Sequence, residues 1–588
     1  MAPRSRARVW SFRAVTVLLV LGLIALLEAV LRLAGVGDTY ELVSPVTETS
    51  TILPFRLNPS IDAVYFGARD MMGPEPRRFT LPKPSGTYRI IVLGASTVIG
   101  FPYAPEIAFP RQIEHLLEAQ DPDTDVEVLN AGITAINSFE IADLAGYCAA
   151  AEPDLVVIHA GHNEFFGPGG PASTVLPLPP QLVDAMFSVR RSRLGQMIGA
   201  LVPASNAPLA DPLQTFPRLT DIRQSDSEFA QAAQNYRHNL TVAVGTLRSD
   251  GIPVVLTTVA SNLRDQPPIR NVWPRSLTSG QQQLVLAALR LADDAAAKGD
   301  LAEALHQIAA VEALLRATDV PIVQYRKGEY LFAQGDVLAA RTAFERSRDL
   351  DGCRFRAPSE FGEIVRQLAG ESETREITLL DLERVVADAS ERGIPGHDLF
   401  LEHVHYNLAG HRLLARSLAR HIHTEHRQHA WDESREIEDA VLDERLGLLR
   451  EDELVGASFA LQTVQTPPLA EGVDVERLEA YLVAEVSRLY GELPSGRRDR
   501  FADLSMHNLQ QSLIQSLVQK SMQAGDLEWA RQLAEFSVAR EPWSAAGWLQ
   551  LARVEAVLGA TDRAIAAARR ADELDANSGA SQLLQALR

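Results

Sequence analysis

The stretch RIIVLGASTVIGFP, residues 89–102, ends a hydrophobic run in Gly94, places Ser96 two residues on, and adds Gly100. A strand-to-helix turn of this kind can do one of two jobs. In a dinucleotide fingerprint, Gly-x-Gly-x-x-Gly cradles a pyrophosphate, and an acid ending the next strand holds the ribose. Alternatively, the turn lifts a serine hydroxyl out for attack. Here Ser96 stands at the middle glycine, and the next strand run, VLNAG at 128–132, carries Asn130 where an acid is wanted. Taken alone the motif leaves both readings open, and a third in which Ser96 merely caps a helix.

The pattern around it narrows the fold. Continuous Val/Ile/Leu runs recur at DVEVLNAGI (125–133), DLVVIHAGHNEF (154–165), GIPVVLTTVASN (251–262) and ITLLDL (377–382). Helical stretches such as RQIEHLLEAQ (111–120) and FEIADLAGYCAAA (139–151) separate them. Unbroken apolar strands alternating with helices predict a parallel sheet covered on both faces, an α/β class. In such sheets ligands bind beyond the carboxyl ends of the strands. Three of these loops offer a serine, an asparagine (Asn163, in GHNE at 161–164) and a histidine (in DLFLEHVHYNLAGHRLLA, 398–415). Acyl transfer needs such a set: a nucleophile, a base, and neutral donors for an oxyanion.

With these four stretches the chain resembles the SGNH (GDSL-like) hydrolase superfamily. GAST around Ser96 looks like its first block, NAGITA (Asn130–Ala135) its second, GHNE its third and EHVH (Glu402–His405) its last. The resemblance covers some 250 residues in two pieces and implies a flavodoxin-like α/β/α sandwich. It implies Ser96 as nucleophile, His405 as base and Glu402 as the acid that orients it. The implied oxyanion hole is the N–H groups of Ser96 and Ala135 and the Asn163 amide, with Gly132 as an alternative donor. Three positions depart from the pattern. Ala95 stands where aspartate is frequent, Ala135 where glycine is usual, and Glu402 where aspartate is usual, one methylene longer. His403 and His411 compete with His405. Spacing from Glu402 favours His405, and His411 reads as a helix-face residue. His162 and Glu164 receive no role.

Ser96 and His405 lie 309 residues apart, further than a minimal domain of this kind requires. Two insertions account for the excess, and longer loops add little closure entropy. GPGGPASTVLPLPPQLVDAMFSVRRSRLGQMIGALVP (167–203) enters a helix bearing Arg190, Arg191 and Arg193. It fits a lid, a surface near a membrane, or a plain excursion. Residues 279–352 are alanine-rich and helical, with Gly299 and Ala304 recurring about 36 residues on as Gly335 and Ala340. At 506–588 the period is cleaner: Gly525, Ala530, Ala534 and Pro542 recur about 34 residues on as Gly559, Ala564, Ala568 and Ala576. Both regions resemble tetratricopeptide repeats; a generic alanine-rich bundle is the plainer alternative. Such units bind a neighbour or a protein partner.

The remaining divisions are 1–13 as a basic tail, 14–36 as a transmembrane anchor, 37–84 as a linker, and 85–278 and 353–425 as the two parts of the hydrolase-like domain. Residues 426–505 read as a helical connector. Arg4, Arg6, Arg8 and Arg13 precede the apolar run that begins at Ala14, and Asp38 and Glu41 follow it. With Glu28 and Arg32 paired four apart, the run reaches about 20 residues, enough to cross a bilayer. The charge asymmetry sets the N-terminus in the cytoplasm and the rest outside, in the periplasm. A cleaved signal at Gly35-Val36-Gly37, or a buried soluble helix, are the alternatives. Across 588 residues, 46% hydrophobic and 22% charged content describes a folded chain of several domains. A net charge of −20 excludes a nucleic-acid partner, for want of a basic stripe. Cys148 and Cys353 make neither a disulfide framework nor a metal cluster, and no cofactor is expected.

The expected activity is therefore a membrane-anchored, extracytoplasmic serine esterase acting on acyl esters of polysaccharide or lipid. Two other readings use the same chain: an acyltransferase with the same residues, and an assembly scaffold whose hydrolase domain is weak or inactive.

Overall fold

In the computed structural model, which describes residues 6–46, 52–67, 71–201, 221–315, 319–371, 376–502, 504 and 506–587, the five apolar runs form one parallel sheet. Its strands are β4 (Thr87–Gly94), β5 (Asp125–Gly132), β6 (Leu155–His159), β7 (Val254–Thr257) and β8 (Ile377–Leu380). Their spatial order is β5-β4-β6-β7-β8, all pairs parallel. Strand order thus reverses beside β4, the strand that leads into Ser96. Alternation of side chains sends Ile91, Leu93, Val156 and Ile158 to one face, against Phe139, Leu144, Tyr236, Leu240 and Phe361. Ile90, Val92, Val157 and Val255 go to the other, against Phe109, Ile113, Leu414 and Leu418. Both faces are buried, which is why the strands read as unbroken apolar runs.

Residues 37–84 do more than link. They supply a small antiparallel sheet of β1 (Val43–Pro45), β2 (Phe55–Leu57) and β3 (Arg78–Phe79). Leu42, Leu57, Ile61, Val64, Tyr65 and Phe79 are fully buried in the same core as the central sheet. Strands of two or three residues leave too little alternation to be seen in sequence, and the burial of these bulky side chains organises the segment instead.

Residues 279–350 form two helix pairs: Ser279–Ala297 with Leu301–Leu314, and Pro321–Gln334 with Val337–Leu350. The repeated glycines, Gly299 and Gly335, turn each pair with φ of +83° and +96°, a conformation glycine reaches without steric cost. The C-terminal helices Met506–Gln523, Leu527–Arg540, Ala545–Val557 and Thr561–Leu574 share one core with residues that were expected only to connect. Leu449, Leu454, Phe459 and Leu489 are buried among Leu517, Leu533 and Ala568. Helix Arg450–Val464 reaches the loop after Ser96: a Cβ on Gly456 would lie 2.4 Å from the Tyr103 ring.

One helix among the described residues, over Phe12–Leu33, is long and apolar enough to cross a membrane. It belongs to a longer helix, Arg6–Leu33, that takes in part of the basic tail.

Candidate active site

Three strands end level with one another. Gly94 pairs with Gly132 on one side and with His159 on the other, so the loops after β4, β5 and β6 open together where strand order reverses. Ser96 is the first residue of the short helix Ser96–Ile99. Its N–H, in the first turn, has no intrahelical acceptor. Asn130 braces this turn: its Nδ2 donates to the Val98 carbonyl at 3.0 Å, and its Oδ1 accepts the Gly132 N–H at 3.1 Å. A Cβ at Gly132 would stand 2.4 Å from the Ile99 nitrogen. Gly132 is there to let two backbones meet, and its N–H is committed to Asn130.

Ala135 follows in the left-handed region, with φ of +63°. The loop is tied just before it, since the N–H of Ile133 donates to the Gly94 carbonyl at 3.1 Å and that of Thr134 to the Met72 carbonyl at 2.9 Å. An alanine held so costs about 1 kcal/mol or more in strain. Ala135→Gly relieves it but widens the freedom of the unfolded chain. The expected net gain is about 0.5 kcal/mol, read as a higher urea midpoint. A lower midpoint would show that the methyl group packs more than it strains.

Asn163, after β6, is partly buried. Its Nδ2 donates to the Ile136 carbonyl at 3.0 Å, which leaves the second amide hydrogen for a ligand. The loop curls over it, with Phe166 and Gly167 donating N–H groups to the Asn163 carbonyl at 3.2 and 2.8 Å. Its neighbours are structural. His162 Nδ1 accepts from the Ala357 N–H at 3.2 Å. The Glu164 carboxyl accepts from Ser138 N–H and Oγ–H at 2.9 and 2.6 Å.

His405 stands on a tight loop closed by a bridge between Phe400 and Tyr406 and by the Leu401 N–H donating to the His405 carbonyl at 2.9 Å. Asn407 caps the helix Leu408–His421 that follows. The imidazole Nε2 lies 2.8 Å from Ser96 Oγ. Nδ1 hydrogen-bonds Glu402 Oε1, which also accepts the His405 N–H at 2.9 Å. With the Nδ1 proton on the carboxylate side, a tautomer assigned from these bonds, Nε2 carries the lone pair. Burial pushes the imidazole below its ordinary value, to about 3, so it rests neutral.

The other Glu402 oxygen is also claimed. Oε2 accepts the His403 N–H at 2.9 Å and hydrogen-bonds the His403 ring at Nδ1. One buried carboxylate therefore orients two imidazoles, and only that of His405 faces Ser96. Donor atoms of Glu402, His403 and His405 lie within 4.8 Å of one another and form a three-ligand set for a cation. Both Nδ1 atoms are engaged with the carboxylate, and His405 Nε2 with Ser96. His411 is buried on the inner face of its helix, where Nδ1 accepts from the Phe109 N–H at 3.3 Å.

Phe101 has no counterpart in the sequence reading. Its ring meets His405 edge-on at 4.8 Å and lies 6.4 Å from Phe459. The C-terminal helical region thus touches the imidazole through one aromatic layer. No motif marks this, because only the packed helix Arg450–Val464 brings the second ring near.

No protein-family model matches the chain, and no curated protein does. A solved structure of a protein assigned to the G-D-S-L lipolytic family, from Desulfitobacterium hafniense, matches with a TM-score of 0.24 at 11% identity. The match covers 56% of this chain and 98% of that one, and at that score it bears on neither fold nor function.

Proposed function

We propose that the chain is a serine hydrolase of the SGNH type, on a flavodoxin-like sandwich, cleaving ester bonds through an acyl-serine. The observation that carries this is the hydrogen-bonded line from Ser96 through His405 to Glu402 at the strand-order reversal. In the reaction, His405 Nε2 takes the Ser96 proton as Oγ attacks the ester carbonyl. Glu402 steadies the imidazolium through Nδ1. The N–H groups of Ser96 and Ala135 and the second amide hydrogen of Asn163 bind the oxyanion. The proton on Nε2 passes to the departing alcohol, and water, deprotonated by the same nitrogen, releases the acid. The substrates proposed are O-acyl esters of polysaccharide or lipid, met by a domain tethered through Phe12–Leu33 on the periplasmic side. The helix pairs at 279–352 and 506–588 are proposed as tetratricopeptide-like surfaces for a protein partner.

A fluorophosphonate probe tests the reading. It should modify the purified full-length protein at Ser96, located by mass spectrometry of the labelled peptide. A folded protein that takes no label would favour the scaffold reading.

The pH dependence follows from His405. A buried imidazole titrates below the ordinary value of about 6.5, so the neutral base is fully present above that pH. Then kcat/KM should be flat from pH 6.5 upward through neutrality, and decline on acidification only as Nε2 gains a proton. An acidic limb centred above pH 7 would contradict the assignment.

A further inference from the structure

Helices Pro180–Arg191 and Arg193–Leu201 leave the central domain and clamp the root of the N-terminal helix. The Glu28 carboxylate accepts the N–H groups of Arg193 and Leu194 at 3.1 and 3.0 Å and pairs with Arg32 at 2.7 Å. An acid inside an apolar run thus finds two donors and the positive end of a helix dipole. Asp38 and Gln196 exchange two further bonds, at 2.7 and 2.9 Å. Arg193 donates to Thr39 Oγ1 at 2.7 Å, and Arg191 reaches the Tyr40 carbonyl and Asp143 at 3.1 and 2.7 Å. The arginines are turned toward the protein. In the same helix as Arg193, Met197 and Ile198 are 40% and 54% exposed.

Depth in a bilayer follows from this docking. The Phe12–Leu33 segment is about 33 Å long as a helix, against a hydrocarbon core of about 30 Å. Glu28 lies five residues before its end, about 7 Å along the axis. The start of helix Arg193–Leu201 is hydrogen-bonded to Glu28, so a bilayer centred on the span holds this end of the helix about 6 Å inside the hydrocarbon boundary.

We propose that Met197 and Ile198 insert into the lipid leaflet on the C-terminal side of the span. The helix Arg193–Leu201 is then a second, in-plane membrane contact that fixes the tilt of the central domain against the bilayer. This rests on Phe12–Leu33 being a membrane span.

The test uses full-length protein in phosphatidylcholine–phosphatidylglycerol vesicles. Leu21→Cys, Met197→Cys, Ile198→Cys and Leu338→Cys each carry an environment-sensitive NBD dye. The native thiols do not compete at neutral pH, because burial pushes Cys148 up to about 12 and Cys353 well above its ordinary value. The expected result is blue-shifted emission, quenched by nitroxide lipids, at 21, 197 and 198, with aqueous emission at 338, an exposed position on the inserted helices. Lipid signals at 21 alone overturn this proposal and leave the anchor standing. Aqueous signals at 21 overturn the anchor and the proposal with it. Quenching at 338 as well would mean non-specific adsorption, which also overturns it.

Discussion

Ser96→Ala lowers kcat for an aryl acetate by about 10,000-fold or more, while the unfolding midpoint stays close to that of the parent. The two halves of that expectation have separate causes. The Ser96 hydroxyl is held by His405 Nε2 at 2.8 Å, and the site is only partly buried, so a water molecule can take the lost partner's place at little cost. Turnover, by contrast, loses its nucleophile altogether, and what remains comes from oxyanion donors and binding. Because the hydroxyl and imidazole act as one unit, the Ser96→Ala/His405→Ala double variant should lose scarcely more than either single one. Steady-state kinetics on the three variants decide it. A Ser96→Ala protein keeping a tenth of parental turnover would place the chemistry elsewhere.

Glu402→Gln is expected to cost both catalysis and stability. Four donors converge on this buried carboxylate: the N–H groups of His403 and His405 at 2.9 Å each, and both rings at Nδ1. A glutamine has one accepting oxygen and an amide that donates. At least one imidazole then faces an N–H where it had an acceptor and turns or changes tautomer. For His405 that moves the proton to Nε2 and removes the base, a loss of about 1,000- to 10,000-fold in kcat by analogy with other triads. Each buried donor left without an acceptor adds about 1–3 kcal/mol of destabilisation, so urea unfolding should shift by about 2 kcal/mol or more. If kcat falls less than tenfold, Glu402 holds the loop together rather than the tautomer.

Much of the central fold can be read in the sequence for one physical reason. A strand buried on both faces carries an unbroken run of Val, Ile and Leu, and all five such runs are parallel strands. The segment 37–84 lacked that signal because its strands are too short to alternate. At the site, Glu402 and His405 lie on one loop, so their spacing carries geometric information. The choice between His403 and His405 does not reside in spacing alone, since both rings reach the same acid; it depends on which Nε2 faces Ser96. The bond that the Gly132 N–H makes is hidden for another reason. A motif records which residue follows a strand, and does not record that Asn130 has already taken its N–H. Phe101 and helix Arg193–Leu201 owe their positions to contacts distant in sequence.

The long separation between Ser96 and His405 has a consequence during synthesis. Ribosomes add about 5–20 residues per second, so the 309 residues between them occupy roughly 15–60 s. Throughout that interval the emerging polypeptide carries an inert alcohol with nothing to deprotonate it. On the proposed mechanism a nascent chain is therefore chemically silent until translation has passed the second half of the sheet, and a product truncated before residue 405 stays silent.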